Sequence, residues 1–288
     1  MRANGGRLTA LLTILAVLAA LCGCGQTADD RLTVEILSIG KADCSILTDG
    51  THTAVIDCGT ADDGGAVLDA LARLGAERID LLIVSHYDKD HVGGAADVLR
   101  GIEVGELIEP DYEPENPGAA AYTAYREAAA GCGVSVTRVS GQAVRQLGRA
   151  SLTIRGADGK VYEKNADNNA SLLVEVEHEG NRLLFAGDVE KQRIADLLDE
   201  GVGPCDFLKV PHHGQYNARL PALFEALRPR YAAITCSEDA PPDADTLDAL
   251  ADAGCEVFLT TDGAVTLISS RAGLTVEPQT HSAWKKAG

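Results

Sequence analysis

Ile79-Asp80-Leu81-Leu82-Ile83-Val84-Ser85-His86-Tyr87-Asp88-Lys89-Asp90-His91-Val92-Gly93-Gly94 says more about the architecture than any other stretch of the chain. Its first part is short, apolar and rich in β-branched residues. It is bounded by turn residues, so it reads as a buried strand opening into a loop at 86–91. That loop carries two imidazoles and two carboxylates in six residues. Groups of this kind are costly to bury unpaired, and a divalent cation removes the cost by supplying the missing positive charge. The spacing therefore predicts a metal site with His86, Asp88, Asp90 and His91 as ligands.

Outward from this loop, alternation predicts strands at 32–39, 44–48 and 53–57, the last two joined through Asp49-Gly50. A helix is expected at 64–74 with Gly75 as its stop, and another from Gly93-Gly94 to Leu99. Glu109 to Gly118 holds three prolines and four acidic residues and reads as a loop. Beyond it come a helix at 118–130 and strands at 134–139, 143–147, 151–155, 171–178 and 181–186. Helices at 189–199, 219–227 and 244–253 then alternate with strands at 206–210, 230–235 and 256–260, and a strand at 264–269 closes the order. Each half is a β-meander ending in α/β units. The layering that satisfies this order is an α+β fold, a four-layer αββα sandwich.

Two more polar clusters sit where strands end. Leu183-Leu-Phe-Ala-Gly187-Asp188 places a carboxylate after an apolar strand, where a helix cap would also suit it. Phe207-Leu-Lys-Val-Pro211-His212-His213-Gly214 places a tandem of histidines in the same way. Taken together, His86, Asp88, Asp90, His91, Asp188 and one of His212 and His213 resemble the ligand clusters of the metallo-β-lactamase superfamily. The chain is more closely similar to the nuclease-like domain of ComEC-type competence proteins. The order of motifs carries this resemblance: Ser38 to Asp43, Asp57-Cys58-Gly59, Ser85 to Gly94, Asn168 to Leu172, Gly187-Asp188, Lys209 to Gly214 and Thr261-Asp262-Gly263. It spans about residues 32–270. Gln215 stands where that branch usually has Ser, and Ser237 to Pro242 replaces a stretch that usually contains a histidine. The membrane-channel portion of the competence proteins is not found in this sequence. The resemblance thus implies the fold and the metal site, but not DNA as substrate.

The resemblance implies two divalent metal ions. His86 and Asp88 are expected on one, Asp90 and His91 on the second, with Asp188 bridging and His213 completing the second. His212 would then face substrate, and the reverse assignment of the tandem stays open. Zinc accepts such ligands. Asp88, however, occupies a position that is His in the zinc lactamases, and no later histidine supplies a third imidazole. Asn168 or Asn169 is expected there instead. More oxygen shifts the preference toward manganese, so the expected cofactor is zinc or manganese. The nucleophile would be a metal-bound hydroxide, oriented by Asp90, with His212 donating to the leaving group or gripping an anionic oxygen. Asp43 and Asp57 are expected behind the ligands, orienting their imidazoles. Tyr87 and Lys89 should point to solvent. His52, His178 and His281 have no ligand context.

Residues 1–24 read as a lipoprotein signal peptide. Arg2 and Arg7 precede an apolar stretch from Leu8 to Leu21. Gly23-Cys24 resembles a lipobox, with Cys24 the lipidated residue, leaving 25–288 as a single hydrolase domain. The expected location is the extracytoplasmic face of the cell membrane, held by the lipid. Cys44 and Cys58 flank the Asp49-Gly50 turn and could face each other as a disulfide.

The formal charge of −18 becomes about −20 once Arg2 and Arg7 are removed. It disfavours nucleic acid unless basic residues cluster locally. The functional expectation is an anchored, dinuclear hydrolase of a phosphodiester, nuclease-like by resemblance. A small phosphodiester or phosphocholine-type substrate is favoured by charge. Acyl or lactam hydrolysis is disfavoured by Asp88, and a non-enzymatic binding or competence-accessory lipoprotein by the full ligand set. No protein partner is implied. If Cys24 carries lipid, the wild type partitions with membranes and Cys24→Ser is released. Equal release of both, measured by fractionation and immunoblot, would overturn the anchor.

Overall fold

In the computed structural model, which describes residues 30–277, the run after residue 78 is strand β4 (Ile79–Ile83). It lies parallel to β3 (Thr53–Ile56) on one side and β5 (Val104–Pro110) on the other. Leu81 and Ile83 face one apolar layer, while Ile79, Leu82 and Val84 face another. Both faces are covered, which is why the run shows no polar alternation.

The first sheet has eight strands. Its order is β15 (Gly273–Val276), β14 (Val265–Ser270), β1 (Leu32–Ile36), β2 (Ser45–Thr48), β3, β4, β5 and β6 (Ser135–Val139). The second has seven: β13 (Glu256–Leu259), β12 (Tyr231–Ile234), β11 (Phe207–Lys209), β10 (Asn181–Phe185), β9 (Leu173–His178), β8 (Ala150–Arg155) and β7 (Gln142–Leu147). Leu32, Val34 and Ile36 of β1 share the inter-sheet core with Val174, Val176, Leu183, Phe185 and Phe207. Helices α1 (Gly64–Arg73), α3 (Ala95–Gly101) and α4 (Ala120–Cys132) cover the first sheet through Val67, Leu71, Val98 and Tyr125. Helices α6 (Lys191–Glu200), α7 (Leu220–Leu227) and α8 (Ala244–Asp252) cover the second through Ile194, Leu223, Phe224 and Leu250. Two short helices, α2 (Lys89–Val92) and α5 (Ala166–Asn169), lie in connections. This is the αββα layering expected from the order of elements. No helix among the described residues is long and apolar enough to cross a membrane. Cys24 and His281 lie outside the described residues.

Two strands escaped the periodicity, β5 and β15. β5 corrects the expected loop, because Glu109 and Pro110 end an interior strand paired in parallel with Arg138 and Val139 of β6. Glutamates at 106 and 109 hid it. Glu106 is paired with Arg145, and the buried Glu109 carboxylate accepts from Arg126, Arg138 and the Tyr125 hydroxyl. Cys44 and Cys58 are separate, buried free thiols rather than a disulfide.

Strands β3 to β6 run parallel in one sheet and β10 to β13 in the other. Open parallel sheets offer binding crevices beyond the carboxyl ends of their strands, and the polar clusters of the sequence lie there.

Removing a buried charge partner costs about 3–5 kcal/mol, whereas exposed changes stay within about 0.5 kcal/mol. Glu109→Ala should therefore lower the urea midpoint strongly, and Glu113→Ala, in the same acidic stretch but exposed, should not. Equal midpoints would remove Glu109 from the core.

Candidate metal centre

The chain leaves β4 through Ser85 into His86, and leaves β3 through Asp57, whose φ of 61° is left-handed. Asp57 Oδ1 accepts the Ser85 N–H at 2.7 Å, and Oδ2 accepts the Ser85 hydroxyl at 2.7 Å. The same Oδ2 lies 2.8 Å from His91 Nδ1, and Ser85 Oγ lies 3.0 Å from His86 Nδ1. A carboxylate only accepts, and the Ser85 hydroxyl is spent on Asp57. Both imidazoles therefore donate through Nδ1 and present Nε2 as a lone pair.

Asp90 and His91 sit in the single turn of α2, directly before Gly93-Gly94. The glycines are required by packing. A Cβ on Gly93 would lie 2.3 Å from the Lys89 carbonyl oxygen and 2.5 Å from Ala61 N, and one on Gly94 would lie 2.2 Å from the Cys58 carbonyl oxygen. The close approach lets the Cys58 N–H donate to the His91 carbonyl at 2.7 Å.

The second sheet supplies the facing half. Asp188 follows β10 and Gly187, and its N–H donates to Ser171 Oγ at 3.2 Å. Beyond β11, His212 (φ 49°) and His213 (φ 52°) are consecutive left-handed residues, a conformation that L-residues with a Cβ avoid. The left-handed turn thus starts two residues before Gly214, whose φ is 74°. His213 Nδ1 lies 2.9 Å from Thr235 Oγ1, whose hydroxyl donates to Asp43. Asp43 Oδ2 accepts from the buried Lys209 ammonium at 2.6 Å.

His91 Nε2 is 3.2 Å from Asp188 Oδ1, and His213 Nε2 is 3.4 Å from Asp188 Oδ2. Asp90 Oδ2 lies 3.6 Å from His213 Nε2, and the half-exposed Asp88 lies 3.8 Å from His86 Nε2. The Nε2 atoms of His86, His91 and His213 and Oδ1 of Asp188 are buried without a hydrogen-bond partner. Native interiors rarely leave such atoms orphaned without an ion or water to explain them. Their chemistry, three imidazole lone pairs and a carboxylate, fits a divalent metal.

His86, His91 and Asp188 come within reach of one ion, so His91 sides with His86 rather than with Asp90 as the sequence division had it. Asp43, His91 and His213 also converge. Asp43 is spent on Lys209 and Thr235, however, and meets both rings on their Nδ1 edge.

The charges agree with this geometry. Burial, with His91 beside it, pushes the His86 imidazole down to about 4, keeping its lone pair free. Burial opposes charge on His213, but Asp188 and Asp43 outweigh it and hold the ring up at about 9. His91 is raised in the same way, against burial, by Asp188, Asp57 and Asp43. The carboxylates around His91 and His213 thus favour positive charge at the point that their Nε2 atoms face.

Asn169 is elsewhere. Its amide donates to the carbonyls of Lys164 and Asn165, and its oxygen accepts the Glu190 and Arg193 N–H groups. With both ends engaged it braces the start of α6 and does not replace a ligand imidazole. Asn168 donates to Glu190 at 2.7 Å. Tyr87, expected in solvent, is buried, its hydroxyl donating to the Pro110 carbonyl at 2.8 Å. Lys89 is exposed. His178 is a strand residue 2.9 Å from Ser269 Oγ, and His52 pairs with Asp49. Thr235 and Glu190 were not singled out in the sequence, and Ser85 and Lys209 entered only as the ends of motifs that carry the resemblance. A lysine inside the apolar run Phe207–Val210 was the one available signal, since a buried ammonium requires a buried anion.

Comparison with known proteins agrees with the geometry. ComE operon protein 3 of Bacillus subtilis is 28% identical over 173 residues, covering 59% of this chain and 21% of that protein. Recombination protein 2 of Haemophilus influenzae is 27% identical over 215 residues, covering 73% of this chain and 25% of that protein. The chain thus spans about a fifth to a quarter of the length of these relatives. The metallo-β-lactamase fold protein YhfI from Bacillus subtilis superposes with a TM-score of 0.52 at 12% identity, over 82% of this chain and 99% of that one. The family model described as the metallo-beta-lactamase superfamily matches residues 38–237, and with the fold and the orphaned ligand atoms in agreement, the chain belongs to that superfamily.

Proposed function

We propose that the protein is a dinuclear metal-dependent phosphodiesterase, held at the outer face of the membrane through Cys24. One observation carries the metal-dependent part: four orphaned, buried donor atoms from three separate strand ends face one another. His86, Asp88 and His91 with Asp188 Oδ1 would hold one ion, and Asp90 and His213 with Asp188 Oδ2 the other. Three imidazoles among oxygen donors suit zinc or manganese. Divalent ions bound there would supply Lewis acidity, lowering the pKa of a water and bracing the oxygens of an in-line displacement.

The chain's own groups complete the chemistry. Asp90 is partly exposed at the rim, where its free oxygen can orient a water toward the scissile bond. His212 is about 20% exposed, with Nε2 4.0 Å from Asp188 Oδ2, in reach of a substrate oxygen. Asp57, through Ser85, and Asp43, through Thr235, hold the ligand rings in one orientation, so little reorganisation is needed when substrate binds.

A phosphodiester is preferred to an acyl substrate because Asp88 adds oxygen to the donor set. One relative is also named for recombination, a process on nucleic acid. A small, cationic phosphodiester of the phosphocholine type is the second reading. It is favoured by the net charge of −18 and by the carboxylates of Asp167 and Asp90 near Asp88. Burial, with Asp167 and Asp90 nearby, raises Asp88 to about 6. Purified residues 25–288 should hydrolyse bis-p-nitrophenyl phosphate with zinc or manganese. Nucleic acid and phosphocholine esters tested in parallel decide between the two substrates. Full metal content without turnover on any ester would leave a binding or competence-accessory protein in place of the enzyme.

Asp90→Ala should lose about one ion per chain and nearly all turnover, whereas Lys89→Ala should keep both. A fully loaded Asp90→Ala protein would sink the assignment. His213→Ala should weaken metal binding and be partly rescued by excess metal. His212→Ala should keep its metal and slow turnover by about 10²–10⁴, the range for a lost acid–base group. Metal titrations showing rescue of His212→Ala instead would exchange the two roles.

A further inference from the structure

We infer that Glu190 is a positioning residue for His212, fixing the Nδ1 edge of that imidazole so that Nε2 faces the centre. This deepens the reading of His212 as the substrate-facing histidine and rests on it.

Glu190 Oε1 lies 3.4 Å from His212 Nδ1, on the side of the ring opposite to Asp188. This is an ion-pair separation, and such contacts commonly tighten only when substrate is bound. The glutamate is not a loose surface acid. Asn168 donates to Oε1 at 2.7 Å, and Asn165 donates to Oε2 at 2.5 Å. The Glu190 N–H donates to Asn169 Oδ1 at 3.2 Å. Asn165 adopts a left-handed φ of 49° to take part. Three asparagines from one segment therefore hold a single glutamate.

The alternative role for an acid at this position is to cap α6. Glu190 is the residue that precedes that helix, yet its carboxylate makes no capping hydrogen bond. Asn169 instead accepts the N–H of Arg193. The carboxylate is turned away from the helix and toward the histidine.

His212 is clamped in turn. Its N–H donates to the Gly187 carbonyl at 3.2 Å, and its carbonyl accepts the Gln215 N–H at 2.9 Å. With the backbone held, the ring's remaining freedom is rotation about its side-chain bonds and the choice of tautomer. A carboxylate on Nδ1 removes both, because it can only accept and so selects the Nδ1–H form.

The test is a double-mutant cycle on the metal-loaded protein, with bis-p-nitrophenyl phosphate as substrate. Glu190→Ala should keep full metal content and KM while lowering kcat about 10–100-fold, the usual effect of losing a group that orients an active-site imidazole. Glu190→Gln retains an acceptor and should recover most of kcat. In the His212→Ala background, Glu190→Ala should cost nothing further. The same fold loss in both backgrounds, or loss of metal, would mean that Glu190 only braces its loop, and the inference fails.

The ¹⁵N spectrum of His212 in the zinc-loaded protein, assigned by its absence from His212→Ala, reads the tautomer without turnover. Nδ1–H should dominate in the wild type at a pH where the ring is neutral, and Glu190→Ala should give a mixture. An unchanged tautomer would overturn the inference. If the wild type hydrolyses no phosphodiester, the hydrolase reading falls, and this spectrum still decides the pairing.

Discussion

Negative charge buried where the two sheets meet is the constraint to which the rest of this molecule is fitted. Asp43, Asp57 and Asp188 are all nearly inaccessible to solvent, and an unpaired carboxylate in such surroundings is costly. Each is answered differently. Asp57 is satisfied locally by Ser85 and His91. Asp43 is satisfied from the opposite sheet by Lys209 and Thr235. Asp188 has two imidazoles and an orphaned oxygen. The first two arrangements are closed and the third is open, and the open one is where a cation has a place.

The Asp43–Lys209 pair also explains why the two sheets meet in one register at this edge. Its partners are 166 residues apart in sequence, Asp43 in the connection between β1 and β2 of the first sheet and Lys209 in β11 of the second, so a slip of one sheet against the other would separate a desolvated ammonium from its buried carboxylate. Removing one partner of such a pair costs about 3–5 kcal/mol. The same carboxylate sets the His213 ring through Thr235, so the contact that aligns the sheets also aims a ligand.

Three of the seven non-glycine residues with a left-handed φ among the described residues stand at the same place. Asp57, His212 and His213 are left-handed without being glycine, each at a cost of about 1–3 kcal/mol. They sit at strand ends and aim side chains at one point. Strain of this sort persists only where surrounding contacts over-determine it. Here those contacts are the Ser85, Thr235 and Gly187 hydrogen bonds.

Much of this was legible in the linear chain, because it depended on local pattern. The strand at 79–85, the hairpin around Asp49-Gly50, the covering helices and the density of ligands at 86–91 each follow from periodicity or spacing, and their order implies the four layers. β5 was illegible because its glutamates look like a loop until Arg126, Arg138 and Arg145 arrive from distant segments to neutralise them. Tyr87 was misplaced for a similar reason, since only α4 and the turn after β5 make a site for its ring. The polar residues behind the ligands belong to the tertiary structure alone. Thr235 and Glu190 are unremarkable in sequence, and they acquire a role only when folding sets them against an imidazole nitrogen. Residue types and spacing determined which groups could bind an ion. Which nitrogen the His91 and His213 rings present was decided by hydrogen bonds between residues far apart in the chain, because a tautomer is chosen by its partner and that partner exists only after the chain has folded.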